Sequence, residues 1–335
     1  MSQSGLRERA RGFATATKDR IQRERKNARD ARPTTLVQPD SERPTSRALP
    51  QLEAPEQFRL TGAALVALGI LLVGFALQFA GISQVSYARD QQLAFDDFRY
   101  QLANATAPVG QTGADDKLLA PGTPVSLISI PKLGLSATIL EGTTSNITTT
   151  GPGHRRDTVL PGQLGASVVY GRQSSYGAPF GRIGELAPGD VITATTGQGE
   201  AKYTVTDVRY TGDPLPAPLA ADKGRLTLVS ASGLPFLPDT VVRVDATLTT
   251  AAQASPARVL SYQALDESEL TMAGNPTAWP LLVLGLIILL VFLALVSISR
   301  RYWGKWQTWI VAVPVLLALG SFAAQQAAIL LPNLL

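Results

Sequence analysis

Three long apolar runs constrain this chain more than any other feature. Leu60 to Gly81 carries no charged residue over its whole length, and Trp279 to Ile298 is more apolar still. Trp309 to Leu331 is interrupted by Pro314 and by the pair Gln325 and Gln326. Each run can span a bilayer, which takes about 20 residues of helix. The composition agrees: 45% of the 335 residues are hydrophobic, only 17% are charged, and the mean hydropathy is +0.11. That is too apolar for an ordinary soluble domain.

Charge then orients the spans. The net charge of +4 is concentrated in residues 1–59 and in Arg300, Arg301 and Lys305, while residues 83–275 carry an acidic excess. The loop between the last two runs sets Arg300, Arg301 and Lys305 beside Tyr302, Trp303 and Trp306. Positive charge next to interfacial aromatics marks a cytoplasmic edge. The expected topology is a multi-pass plasma membrane protein with transmembrane helices at 60–81, 279–298 and 309–331. Its N-terminus is cytoplasmic, and residues 83–275 and the C-terminus are extracytoplasmic. Residues 1–59 are rich in Arg, Ser, Thr, Pro and Gln and poor in large apolar side chains, so a disordered basic arm is expected. Beside a span this arm reads as a topology signal, and no nucleic-acid partner is expected.

Between the spans the pattern changes twice. Residues 84–107 show a helical stripe through Leu93, Phe98 and Leu102, followed by a Pro- and Gly-rich stretch, so 84–124 reads as a stalk helix and linker. Short β-branched segments then follow at Val125–Ile130, Ser136–Leu140, Ser167–Tyr170, Asp190–Thr195, Tyr203–Val208, Arg225–Val229 and Thr240–Leu248. Gly197-Gln-Gly199 reads as a hairpin turn, and Pro238-Asp239 as the turn before the last strand. About seven short strands over 125–250 predict a mainly β domain, a small barrel or sandwich. Residues 251–276 read as a linker back to the membrane.

Composition also excludes chemistry. With no cysteine and a single histidine, His154, a disulfide, a thiolate nucleophile, a thiolate metal site or a multi-histidine site cannot form. The acidic pairs Asp96–Asp97 and Asp115–Asp116 lack the ligand spacing of a calcium loop. No metal or cofactor is expected.

Ordered motifs in the β region resemble the sortase family, membrane-anchored transpeptidases of Gram-positive bacteria. Ile128-Ser-Ile-Pro131-Lys-Leu-Gly134 is similar to the sortase opening strand. Glu141-Gly142, Gly151-Pro-Gly-His154 and Leu160-Pro-Gly-Gln163 resemble the segments after it. Tyr176-Gly-Ala-Pro-Phe180 matches a Y-G-x-P-F block, Leu186-Ala-Pro-Gly-Asp190 a turn, and Leu226-Thr-Leu228 the strand that carries the sortase nucleophile. The resemblance implies a sortase-like β-barrel and a three-group mechanism. In that mechanism a cysteine attacks an LPxTG-type sorting signal, a histidine transfers protons and an arginine stabilises the oxyanion. Here the histidine position, four residues before Tyr176, is Arg172, and the cysteine position is Ala231. The arginine position falls near Val241, with Arg243 two residues on. Alanine is no nucleophile and arginine no base, so acyl transfer of the sortase type is not available.

Alternatives remain at the site. Ser230, Ser232, Ser174 or Ser175 could replace the thiol if His154 served as base, although strand alternation turns Ser230 and Ser232 away from the face of Ala231. Arg172 and Arg243 could together hold a carboxylate, a phosphate or a peptide C-terminus. Arg172, Tyr176, Ser230, Ser232 and Arg243 are thus the candidate groove residues, while Tyr176, Phe180 and Phe236 also read as core. Leu237-Pro-Asp-Thr-Val241 resembles a sorting signal, which would make it a pseudosubstrate, or it makes only a turn.

The expected function is that of a pseudoenzyme of the cell wall that binds or scaffolds a peptide or surface protein, beside an active sortase or a membrane complex. A transpeptidase with an altered mechanism is the alternative. A third reading places the function in the two C-terminal spans. High Ala, Arg and Pro usage suggests an actinobacterial host.

Overall fold

The computed structural model describes residues 72–335 except Ala114, together with Leu65, Leu68 and Gly69. The expected arm at 1–59 and residues 60–64, 66, 67, 70 and 71 of the first apolar run lie outside the described residues.

Eight strands close into a barrel: β1 (Pro124–Ile130), β2 (Leu135–Glu141), β3 (Gly153–His154), β4 (Gly165–Tyr170), β5 (Val191–Thr196), β6 (Gly199–Arg209), β7 (Gly224–Leu234) and β8 (Leu237–Leu248). Their order is β1-β2-β3-β4-β7-β8-β6-β5, with β5 pairing back onto β1. Two contacts are parallel, β2 with β3 and β4 with β7. Closure leaves no free sheet edge. Strand alternation turns Leu226 and Leu228 of β7 and Val242, Val244 and Ala246 of β8 inward. They meet Ile128, Ile130, Ile139 and Phe180 in the core.

The barrel carries one strand more than the expected seven. β3 is two residues long, too short for any alternation to show, and it exists because His154 is anchored inside the wall. The β5–β6 hairpin turns at Gly197 as expected. The last hairpin does not turn at Pro238-Asp239. It turns at Pro235 and Phe236, with Phe236 in the left-handed region (φ 63°), and Pro238 and Asp239 belong to β8.

Three helical pieces meet the barrel. Residues Leu72–Leu77 are helical, a π turn covers Gln78–Ile82, and α1 (Ser83–Ala103) follows as the stalk. Of the expected stripe only Phe98 is buried, while Leu93 is 60% exposed. A polar clasp replaces the missing apolar contacts. Gln91 donates to the carbonyls of Thr138 (3.2 Å) and Thr150 (3.0 Å) and accepts from the Thr138 N–H (2.7 Å). The helix stops at Ala103, where the Asn104 side chain donates to the Tyr100 carbonyl (2.8 Å).

A short helix α2 (Ser145–Thr148) follows β2. At the C-terminal end, α3 (Trp279–Tyr302) and α4 (Lys305–Leu330) pack together through Leu289, Ala312 and Leu316. Among the described residues two helices, Pro276–Ser299 and Trp306–Leu330, are long and apolar enough to cross a membrane. The expected span at 60–81 is described only in part, with residues 60–64, 66, 67, 70 and 71 outside the described residues. Pro314 does not break α4.

Candidate functional site

The face of interest is the outer surface of β4, β7 and β8. On β7 and β8, Ala231 stands directly across from Val241, and Val229 directly across from Arg243. The strand register thus sets Ala231 and Val241 side by side, while Arg172 follows the end of β4 and pairs with no strand. Tyr170 on β4 pairs with Val229, so the same face also carries its ring. A histidine or cysteine there would be flanked by aliphatic side chains.

This face is not open. Leu334 is completely buried and packs with Tyr170, Val229, Ala231 and Val241, joined by Val168 and Met272. The last turn of α4 delivers the segment 331–335 directly onto the barrel, and a ladder of polar contacts holds it there. The Gln173 N–H donates to the Leu334 carbonyl (2.9 Å) and the Asn333 N–H to the Ala273 carbonyl (2.9 Å). The Asn333 amide donates to the carbonyls of Thr143 (2.7 Å) and Leu270 (2.9 Å). Ser145 Oγ donates to the Leu331 carbonyl (2.9 Å). Gly274 lies so close to the Leu330 carbonyl that a Cβ there would collide with it.

Arg172 closes the pocket from below. It is fully buried, with no Asp or Glu side chain within ion-pair distance among the described residues. Its guanidinium donates to Ser145 O (3.1 Å), Ser145 Oγ (2.7 Å), Ser175 Oγ (3.1 Å) and the Leu335 oxygen (3.3 Å), and it lies 5.3 Å from the centre of the Tyr176 ring. Ser175 Oγ donates to the same Leu335 oxygen (2.6 Å). Burial pushes the Arg172 pKa down to about 10, so it stays charged at neutral pH. The buried guanidinium is thus held by the oxygens of Ser145, Ser175 and Leu335 and by a π face.

The remaining candidates separate. Tyr176 is buried with φ 47°, wedged between Arg172 and Phe79, whose ring it meets edge-on at 6.2 Å. Ser230 faces inward as alternation requires and donates to the Gly171 carbonyl (2.9 Å). Ser232 is half-buried where the β7–β8 register shifts. Arg243 is half-buried on β8 between Val229 and Arg209 and shares no partner with Arg172. The two arginines therefore do not form one anion site. Arg172 instead holds a segment of its own chain, at Ser145 and Leu335.

His154 is likewise engaged elsewhere. Its ring is fully buried, with Nδ1 2.8 Å from a Glu141 oxygen and Nε2 2.9 Å from the Val159 carbonyl and 3.1 Å from Thr158 Oγ. Burial works against its charge, but the Glu141 carboxylate, the Val159 carbonyl and Asp157 outweigh it and hold the pKa above its ordinary value. None of Ser174, Ser175, Ser230 and Ser232 touches His154, so no Ser–His pair forms among the described residues.

Sequence reasoning missed Ser145, Gln173, Asn333, Leu334 and Leu335. One signal was available: Leu331-Pro332 opens with the same Leu-Pro pair as the sorting signal named above, at the end of an apolar run. The better-looking match, Leu237 to Val241, is strand β8 and does not occupy the groove.

A family model described as the sortase domain matches residues 128–234, from β1 through the end of β7, and this part of the barrel is a sortase-type domain. Sortase D of Bacillus subtilis (strain 168) is 30% identical over 88 residues, covering 26% of this chain and 43% of its own. The chain thus spans less than half the length of that curated relative. Two solved structures are similar in outline. A Clostridium perfringens sortase D5 transpeptidase is 20% identical with a TM-score of 0.40, covering 48% of this chain and 99% of that one. Sortase E from Streptomyces avermitilis is 27% identical with a TM-score of 0.34, covering 39% and 91%.

Proposed function

We propose that this chain is a membrane-held, extracytoplasmic sortase-type protein that has given up transpeptidation and uses its groove to hold peptide, with its own segment 331–335 as the resident occupant. The observation that carries this reading is that the face of Ala231 and Val241 is filled by segment 331–335, which turns at Asn333 and Leu334 and is bound mainly through main-chain atoms. A groove that grips a backbone through Gln173, Ser175 and Arg172 suits peptides in general, and the Leu334 pocket adds a preference for an aliphatic side chain. The incoming ligand is then an exported peptide or surface protein, and it competes with the tail. The loss of a nucleophile at Ala231 and of a base at Arg172 supports inactivity. No serine beside the histidine supports the altered-mechanism alternative.

The test uses the full-length protein in nanodiscs, as wild type and as Leu334→Asp, which should expel the tail. Each is incubated with an LPxTG-type peptide or with a Leu-Pro-Asn-Leu-Leu peptide, plus an amine acceptor, and followed by native and denaturing mass spectrometry. An intact peptide held by Leu334→Asp and held less by wild type supports the proposal. A cleaved or transferred peptide overturns the inactive reading. Failure of both proteins to hold either peptide overturns the binding reading.

A further inference from the structure

The β7–β8 hairpin ends in Gly233-Leu-Pro-Phe-Leu-Pro238, a tip without a charged residue between Arg225 and Asp239. Its side chains point away from the barrel: Leu234 is 70% and Leu237 75% exposed. The exposure is not random in position. Phe236, at the turn, meets the ring of Phe79 edge-on at 5.6 Å, and Phe79 in turn packs with Ala328 and Leu331 at the end of α4. Phe79 lies in the last turn of the first apolar run, and Ala328 two residues before the end of α4. The tip is therefore level with the ends of the apolar helices, not with the body of the barrel.

We propose that the β7–β8 tip inserts Leu234 and Leu237 into the outer surface of the lipid bilayer, as an interfacial anchor beside the helices. Burying two leucines in this way removes apolar surface that a soluble barrel would leave in water. The two prolines deprive a lipid-facing turn of two backbone donors that would otherwise need partners. Continuity with the apolar surface of the helices singles out lipid over a protein partner. The inference rests on α3 and α4 crossing a membrane, and it adds to the peptide-holding reading: Gln173 binds the Gly233 carbonyl (2.9 Å) with its side chain and the Leu334 carbonyl with its backbone. The groove thus opens at the membrane surface, where its ligands are juxtamembrane segments of other exported proteins.

The chain has no cysteine, so each added thiol is unique. Full-length protein in nanodiscs is spin-labelled at Leu237→Cys, at Glu200→Cys on the opposite end of the barrel, and at Ile288→Cys on the exposed side of α3. Collision with oxygen and with a water-soluble nickel chelate is then read by electron paramagnetic resonance. The expected result is that Leu237 and Ile288 are oxygen-accessible and nickel-poor, and Glu200 nickel-accessible. Leu237 as nickel-accessible as Glu200, with Ile288 in lipid, overturns the anchor alone. Leu237 shielded from both agents means a protein contact covers the tip and also overturns it. Ile288 in water overturns the membrane reading underneath.

Discussion

Ala231 on β7 and Val241 on β8 are directly paired, and the buried side chain of Leu334 packs against both. Where the sortase resemblance implies a nucleophile and an oxyanion partner, this barrel has two small aliphatic groups under a leucine.

The shielding of Ala231 is directly measurable. Ala231 is 2% exposed, so a thiol placed there by Ala231→Cys should react slowly with a water-soluble maleimide although it is the only thiol in the protein. Adding Leu334→Asp puts a carboxylate where no partner awaits it, a cost of several kcal/mol that favours release of the tail. The labelling rate should then rise at least tenfold. Equal rates in the two proteins would show that the tail does not cover the groove in solution.

Arg172 should matter through the tail more than through the barrel. Arg172→Met keeps the bulk of the side chain and removes the four donor contacts, leaving Ser145 O and the Leu335 oxygen with fewer partners. Loss of hydrogen bonds from a charged group should lower stability by about 2–3 kcal/mol. Hydrogen exchange should rise first at 331–335 and at Gln173, while β1 and β2 stay protected. Uniform loss of protection across the barrel would instead make Arg172 a core strut.

His154 makes the stability of the barrel depend on pH. Its folded pKa is raised, so the stability it contributes is fully present below its unfolded pKa and is lost as pH rises through the folded value. Melting temperatures of the full-length protein should fall as pH is raised through that value. In Glu141→Gln the imidazole loses the carboxylate that holds its pKa up. That variant should be less stable by about 3–5 kcal/mol wherever the imidazole is charged, below the folded pKa, and should lose the pH slope. A slope unchanged in Glu141→Gln would assign it to another group.

Gly177 couples the stalk to the site. It adopts φ 76°, and a Cβ there would strike the Tyr87 ring on α1. Gly177→Ala should therefore destabilise by about 2 kcal/mol or more, combining left-handed strain with overpacking. Gly189→Ala, also at positive φ (99°) but with open space around it, should cost only the backbone strain. Comparing the two melting temperatures separates the contact from the conformation.

The barrel was legible because its signals are local. β-branched alternation marks β1, β5 and β7, and the run Leu226-Thr-Leu228 marks the strand on which Ala231 lies. Three features were illegible for physical reasons. β3 is too short to alternate, and its stability comes from the His154–Glu141 contact across the wall. The last hairpin carries two turn signals, Pro235 and Pro238, and composition cannot say which one turns. The occupant of the groove depends on contacts such as Arg172 with Leu335 and Thr143 with Asn333, which join residues more than 150 positions apart. No periodicity encodes such contacts. What decides them is that α4 ends at Leu330 beside the barrel.

That last connection sets the terms of any competition. Leu331 follows α4 without a spacer, so the tail is presented to the groove at an effective concentration of millimolar order or higher, as for two sites joined by a very short tether. A free peptide binds only the fraction of molecules whose tail has left, and its apparent dissociation constant is the intrinsic one divided by that fraction. Weak binding of a soluble peptide would then report a well-guarded groove as much as a poor fit. A ligand itself fixed in the same membrane would meet the tail on equal terms.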